Sequence, residues 1–308
     1  MLGLCSSAQA QDYPTRPIKI IVPYPAGATT DAMARMVAEK MREKLGQIVI
    51  VENRAGAGGN IGADAVAKAA PDGYTLLLSA AGPLVLNKSL YSSLTYDPDT
   101  FVPISVVATS NSALIVSPKL GVDTVQGLIS LAKTRPAELN YASSGKGSTP
   151  HMAAELFKAM AGVKIEHVPY KGSGPAIADV IAGHVDLAFV ELSLALPQAN
   201  GGRVRLLAVG SEKRKPALPD VATVSEALPG FMAVTWFGIV APPKTPAAIV
   251  NKLSATIAEA LKQPDVVKRM AELNIEPGGG KPADMAQFMK LEGERWGKVI
   301  RATGMTVE

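Results

Sequence analysis

Short apolar runs alternate along this chain with stretches of helical periodicity. Ile18–Val22 is an apolar run that stops at Pro23, which predicts a short buried strand. Between Thr30 and Leu45, Met33, Met36, Val37 and Met41 recur at helical spacing, and Gly46 follows where a helix would be capped. Gln47–Val51 predicts the next strand, Ile61–Ala70 a helix ended by Pro71-Asp72-Gly73, and Tyr74–Ser79 another buried strand. This order predicts parallel pairing with helices on both faces of the sheet.

Ile104–Ser117 and Trp236–Ala241 are apolar runs that fit strands passing between two lobes. Between them a second set of units is predicted. Its helices are Val125–Thr134, Thr149–Ala161 and Pro175–Ala182, and its strands Leu139–Ala142, Ile165–Pro169, Val185–Val190 and Arg205–Val209. The tail from Pro246 is helical, with Ile249, Leu253, Ile257 and Leu261 at four-residue steps, and Gln287–Arg301 predicts the last helix. A length of 308 residues exceeds one ordinary core and suits two. The expectation is an α/β fold of two lobes joined by hinge strands. Residues 11–108 with 233–308 would form lobe 1, and 109–232 lobe 2. In such folds ligands sit in the crevice at the carboxyl ends of the strands.

Charge narrows the function classes. The chain has 31 basic and 27 acidic residues, a net charge of +4, and the two signs are interleaved, as in Lys40, Arg42, Glu43 and Lys44. A nucleic-acid binder concentrates its basic residues on one face, so no nucleic-acid partner is expected. No apolar run reaches the ~18–20 residues that span a bilayer. At the N-terminus, Ala8-Gln9-Ala10 is a small-x-small cleavage site, but no basic segment precedes it and the apolar stretch is short. Residues 1–10 therefore read as the tail of a truncated signal peptide, which predicts export to the periplasm. Leu4 is too bulky to precede a lipidated Cys5, and cleavage after Ala10 would leave no cysteine, which is compatible with an oxidising compartment.

Two loops carry the candidate chemistry. Pro23-Tyr24-Pro25-Ala26-Gly27-Ala28-Thr29-Thr30-Asp31 is a small-residue turn between a strand and a helix. Small residues let a ligand approach the backbone, and the unpaired N–H groups of the helix start attract carboxylate or phosphate oxygens. Thr29 and Thr30 add hydroxyls; Thr30 or Asp31 serving merely as a helix cap is the alternative. The second loop, Ser143-Ser144-Gly145-Lys146-Gly147-Ser148 with Thr149-Pro150-His151, occupies the corresponding place in lobe 2. A facing pair of anion-binding turns would clamp a ligand.

Other chemistries find little support. A phosphate-binding P-loop would need Gly at 140 and Ser or Thr at 147, where Asn140 and Gly147 stand. Gly56, Gly58 and Gly62 mimic a dinucleotide fingerprint, but Ser79 and Ala80 end the next strand with no acid for a ribose, so a tight structural turn is the better reading and no cofactor is expected. His151 stands at a helix start, whereas His167 and His184 suit solvent-facing or hydrogen-bonded structural roles. No zinc, thiol or hydrolase motif occurs, and nothing nominates a nucleophile.

From Tyr13 almost to the C-terminus the chain resembles the receptor family of tripartite tricarboxylate transporters, the Bug-type solute receptors. The marks are Tyr13-Pro14 through Pro17-Ile18, the Pro23–Asp31 loop, Val51-Glu52-Asn53-Arg54, Pro71-Asp72-Gly73-Tyr74, Tyr141–His151, Val168-Pro169-Tyr170-Lys171-Gly172 and Leu206-Leu207-Ala208-Val209. The resemblance implies a type II periplasmic-binding-protein fold, not an enzyme, that captures a small organic carboxylate for two membrane subunits of a transporter. It implies a ligand carboxylate on Tyr24 to Thr30, including Ala26, Gly27, Ala28 and Thr29. It further implies opposing donors from Ser143, Ser144, Gly145, Gly147 and Ser148 with His151, a floor of Ser79 and Ala80, and a wall of Tyr170, Lys171 and Gly172. A monomer suits such a clamp. A sensor feeding a two-component signalling partner and a secreted hydrolase are the alternatives.

The pattern departs from its relatives in two places. Many carry Gly-Gly where Gly27-Ala28 stands, and many carry a neutral polar residue where Glu191 stands. A cleft-facing Glu191 would repel a second ligand anion and favour a monocarboxylate, or one whose far end carries a donor or cation. The alternative is a solvated Glu191, or one paired with Lys146 or Lys171.

Overall fold

The computed structural model describes residues 13–307; the expected signal-peptide remnant over residues 1–10 lies outside the described residues. Strand β1 (Ile18–Val22) pairs in parallel with both β2 (Val49–Asn53) and β3 (Thr75–Ala80). Helices α1 (Thr29–Leu45) and α2 (Asn60–Ala67) make the crossovers. Gly46 ends α1 in the left-handed conformation, φ 66°, and donates its N–H to the Arg42 carbonyl, as the sequence predicts. β2 begins two residues later than its apolar run, because Ile18 pairs with Val49 and Val22 with Asn53. Its ends are set by pairing, not by composition.

After a short helix, α3 (Asn87–Leu90), comes the 15-residue strand β4 (Val102–Val116). Then follow α4 (Val125–Thr134), β5 (Asn140–Ser143), α5 (Thr149–Ala161), β6 (Glu166–Pro169), α6 (Ser173–Ala182) and β7 (Leu187–Glu191). The second lobe ends with α7 (Leu192–Asn200), β8 (Arg205–Val209) and α8 (Val224–Ala227). The chain returns along β9 (Val234–Ala241) and finishes with α9 (Ala247–Ala260), α10 (Pro264–Glu272), β10 (Ile275–Gly279) and α11 (Pro282–Thr303).

β4 belongs to both sheets. From Val102 to Asn111 it is paired by β9 and β10, and from Ser112 to Val116 by β7 and β8, antiparallel throughout. One sheet therefore runs β2-β1-β3-β9-β4-β10 and the other β6-β5-β7-β4-β8. At the change of partners, Ser112 donates to the Ala233 carbonyl, Gly210 to Ser112 and Ala233 to Gly210. A Cβ on Gly210 would lie 2.4 Å from the Ala233 oxygen, so the crossing admits no side chain there.

Each sheet is buried on both faces, and period-two alternation sorts its residues. Ile20 and Val22 pack with α1 and α9, while Ile21 faces the layer of α2 and α11. In the second sheet Leu114 and Val116 face one core, and Ala113 and Ile115 the other. Met152 of α5 is buried among Leu90, Trp296 and Ile300 of the first lobe, an apolar seam beside the hinge. Burying such a side chain contributes about 2 kcal/mol. Across the seam α11 carries Glu292, which accepts 3.1 Å hydrogen bonds from both Trp236 and Trp296. Its other oxygen pairs with Arg295 at 2.9 Å, and Arg295 donates to the Met232 carbonyl just before β9.

The sequence pattern predicts no element at α3, α7, α8 or β10, and α11 begins earlier than predicted. β10 was not legible, since Glu276-Pro277-Gly278-Gly279 has no strand pattern; it forms because the open edge of β4 accepts a partner there. α11 starts at Pro282 instead of Gln287, its first turn tied by the Asp284 carboxylate accepting from the Lys281 N–H.

Candidate ligand-binding cleft

The strand registers aim the two lobes at each other. β9 runs from the crossing into lobe 1, and β3 is antiparallel to it, with Ala80 opposite Phe237 and Leu77 opposite Val240. The carboxyl end of β3, and of its parallel neighbours β1 and β2, therefore points to the hinge. β7 is antiparallel to β4, with Glu191 opposite Ser112 at the crossing and Leu187 opposite Val116. β5 and β6 lie parallel to β7, so Ser143, Pro169 and Glu191 end on the edge that faces lobe 1. The residues singled out in the sequence fall on these two rims: Tyr24, Ala26, Gly27, Ala28, Thr29, Thr30, Ser79 and Ala80 on one, and Ser143 to Ser148, His151, Tyr170, Lys171, Gly172 and Glu191 on the other.

On the first rim, Ala28 is the N-cap of α1 and supplies no side-chain hydrogen bond. Neither Thr30 nor Asp31 caps the helix. Asp31 instead turns back, accepting from the Gly27 N–H at 2.9 Å and from Arg35 at 3.0 Å, while Asn53 donates to its other oxygen at 3.0 Å. The same Asn53 amide donates to the Tyr24 carbonyl. Burial alone would raise the Asp31 carboxyl, but Arg35, Gly27 and Asn53 together hold it below the usual carboxylate range. A buried, paired aspartate thus pins the loop from beneath and leaves the N–H groups of the first turn without a side-chain partner. Burial pushes the Tyr24 phenol up to about 12, so it is a neutral donor at ordinary pH. Ser79, expected as floor, is fully buried, and only Ala80 of the pair is partly exposed.

The second rim is built differently. Ser148 caps α5, accepting from the His151 N–H, and donates its own hydroxyl to the Gly145 carbonyl at 2.7 Å. His151 Nδ1 accepts from the Gly147 N–H at 3.0 Å, and the Gly145 N–H donates to Ser143 Oγ. His151 was expected as a donor to ligand, but its ring is buried and stacks on His167 with centroids 4.1 Å apart. His167 stacks in turn on Tyr141 at 4.8 Å and shares a 2.7 Å hydrogen bond with Ser143 Oγ. Burial, with His151 alongside, holds the His167 imidazole down at about 4, and burial lowers His151 too. Both rings are neutral struts beneath the loop. The loop's exposed side chain is Lys146.

The Tyr170 hydroxyl donates to Asp179 at 2.5 Å, and burial followed by this contact pushes the phenol up to about 12. Its polar end is thus committed within lobe 2, while Lys171 is exposed and Gly172 stands at the start of α6 without a side-chain cap. Glu191 is half-buried and accepts from the Ser173 hydroxyl at 2.9 Å. Among the described residues it pairs with neither Lys146 nor Lys171. Asn53, His167 and Ser173 were not singled out for the site. Asn53 lay in a stretch read as a structural turn, and only the tertiary structure places it under Tyr24.

The Gly56–Gly62 segment is a packed turn: a Cβ on Gly62 would fall 2.8 Å from Pro23 and 2.9 Å from the Arg54 oxygen. His184 is exposed beside Asp179. Among the described residues no cluster of His, Cys, Asp or Glu could hold a metal, and no helix is long and apolar enough to cross a membrane. Surface cavities of about 170 and 460 Å³ lie elsewhere, beside Lys40 and Glu259 and beside Thr124 and Thr223, away from both rims.

The model of the tripartite tricarboxylate transporter family receptor matches residues 33–305. The chain is similar to an R. palustris protein solved with adipate, at 41% identity and a TM-score of 0.86, over 96% of this chain and 99% of that one. It is similar to the periplasmic binding protein BugD, at 34% identity and a TM-score of 0.82, over 96% and 100% of the two chains. MatC from Rhodopseudomonas palustris, solved with malate, shares 33% identity with a TM-score of 0.82, over 94% and 100%. Facing rims at the carboxyl ends of two sheets, and likeness along almost the whole chain, agree: this protein belongs to the tripartite tricarboxylate transporter receptor family, whose members are periplasmic solute-binding receptors and not enzymes.

Proposed function

We propose that this protein captures a small organic carboxylate in the periplasm and delivers it to the membrane subunits of a tripartite transporter. The observation that carries this reading is the start of α1: a helix of 17 residues that opens at the hinge-facing edge with alanine at its cap position. The N–H groups of Thr29 and Thr30 would receive one ligand carboxylate, favoured by the helix dipole, with Tyr24 as a neutral donor beside them. Asp31 keeps the loop in shape without presenting its own charge. From the other rim Ser144 and Lys146 would meet the ligand on closure. The moving units would be residues 11–108 with 233–308 and residues 109–232, hinged where β4 and β9 cross, in a monomer. The relatives solved with adipate and malate support carboxylates as the class.

A thermal-shift screen tests this, on protein unfolded and refolded to strip ligand, against aliphatic mono-, di- and tricarboxylates, aromatic acids and amino acids. A ligand at a hundredfold excess over its dissociation constant should add about 2.7 kcal/mol, raising the Tm by a few degrees. Small-angle scattering should show contraction with the same ligand. No stabilisation by any class at millimolar concentration would sink the reading.

A further inference from the structure

We propose that Glu191 reads the far end of the ligand, so that the cleft selects a carboxylate whose other end carries an ammonium or a hydrogen-bond donor over one ending in a second carboxylate. The inference rests on the carboxylate reading of the cleft. Glu191 is the last residue of β7 and lies opposite Ser112, where β4 changes sheets, so it stands at the hinge-side base of the second rim. It is half-buried, and the Ser173 hydroxyl at 2.9 Å holds one of its oxygens against the first turn of α6. The other oxygen has no hydrogen-bond partner among the described residues. Lys146 and Lys171, the cations of the neighbouring loops, do not neutralise it.

The registers place Glu191 across the cleft from the first rim. Ala80 lies level with Phe237 and hence with Ala108 of β4, four residues before Ser112. Four strand residues span roughly 13 Å, so the two rims are set apart along the strand direction. A ligand seated on the first rim and long enough to cross this gap would present its far end to Glu191. An ammonium there would meet a fixed, unneutralised carboxylate, whereas a second carboxylate would meet a like charge in a cleft that closes on it.

Calorimetric titration with matched ligands of about four to six carbons tests this, comparing the ω-amino acid, the dicarboxylate and the plain monocarboxylate at each length. The wild type should bind the best-fitting ω-amino acid at least about tenfold tighter than its dicarboxylate partner. Glu191→Gln, which keeps an acceptor for Ser173, should reduce that ratio about tenfold, mainly by tightening the dicarboxylate, and tighten the monocarboxylate less. Ser173→Ala, a second variant that leaves Glu191 in place, should weaken the ω-amino acid alone. A wild type that prefers the dicarboxylate, or a ratio unmoved in Glu191→Gln, overturns the proposal while carboxylate binding stands. A wild type that binds no member of any set overturns the proposal, and binding of no carboxylate at all in the wider screen overturns the reading beneath it as well.

Discussion

α1 begins with alanine at its cap position and α5 with serine, and the two rims of the cleft differ accordingly. Both follow the plan of strand, loop and helix. On the second rim Ser148, His151 and Ser143 satisfy the loop from within, over a stack of three rings. On the first, the stabilising groups lie below the loop, in Asp31, Arg35 and Asn53, and the helix N-terminus stays open. Equivalent positions in a fold thus need not do equivalent work. One rim leaves its helix N–H groups without a side-chain cap, and the other is a firm wall with Lys146 exposed at its lip.

The most damaging way to test this contrast is Asp31→Ala. It removes a buried carboxylate with three partners and should cost about 3 kcal/mol, read as a lowered urea midpoint, and should abolish ligand binding. A loss below about 0.5 kcal/mol would mean the first loop is held by something else.

Acid should then separate the rims. With His167 held at about 4 when folded, the unfolded chain binds more protons between roughly pH 6.5 and 4. The stability contributed by the neutral ring is complete above that window and drains as pH falls through it. Allowing for partial solvent screening, the loss should be on the order of 1 kcal/mol from pH 7 to pH 5. Melting curves against pH should show this slope in the wild type and a flatter one in His167→Gln. Asp31 is depressed, so its contribution is present above its unfolded value near about 3.9 and lost only in stronger acid.

Exchanging the caps gives the smaller effects. Ser148→Ala makes the second rim resemble the first and should cost about 1 kcal/mol in denaturant unfolding. Ala28→Ser does the reverse, and the extended backbone at Ala28 (φ −71°, ψ 162°) accepts it without strain. It should stabilise the chain by about 0.5 kcal/mol while weakening carboxylate affinity, because the new hydroxyl competes for the same N–H groups. Unchanged affinity would place the ligand elsewhere.

Much of the architecture was legible in local pattern. Met33, Met36, Val37 and Met41 marked the buried face of α1, and Gly46 its end. The runs around Ile104–Ser117 and Trp236–Ala241 did become the strands that cross at the hinge. Strand ends were less legible, since β2 and β7 stop where partners stop, at Asn53 and Glu191. β10 left no trace in sequence because an edge strand rich in Gly and Pro is held by its neighbour. The site showed the same division: both loops stood out by their small residues, but Thr30 and Asp31 stood as rival caps in sequence, and only the structure put Ala28 at the cap of α1.

By itself, then, the sequence determined most of the order of strands and helices, the two loops that form the rims and the family of the chain, because periodicity, glycine placement and motif order are properties of near neighbours. Only the tertiary structure decided that Asp31 lies under its loop, that His151 and His167 stack on Tyr141, and that Glu191 rests on Ser173 and not on a lysine. Those contacts join residues from different strands and helices. Their energies depend on burial and on register, which exist only once the sheets have assembled.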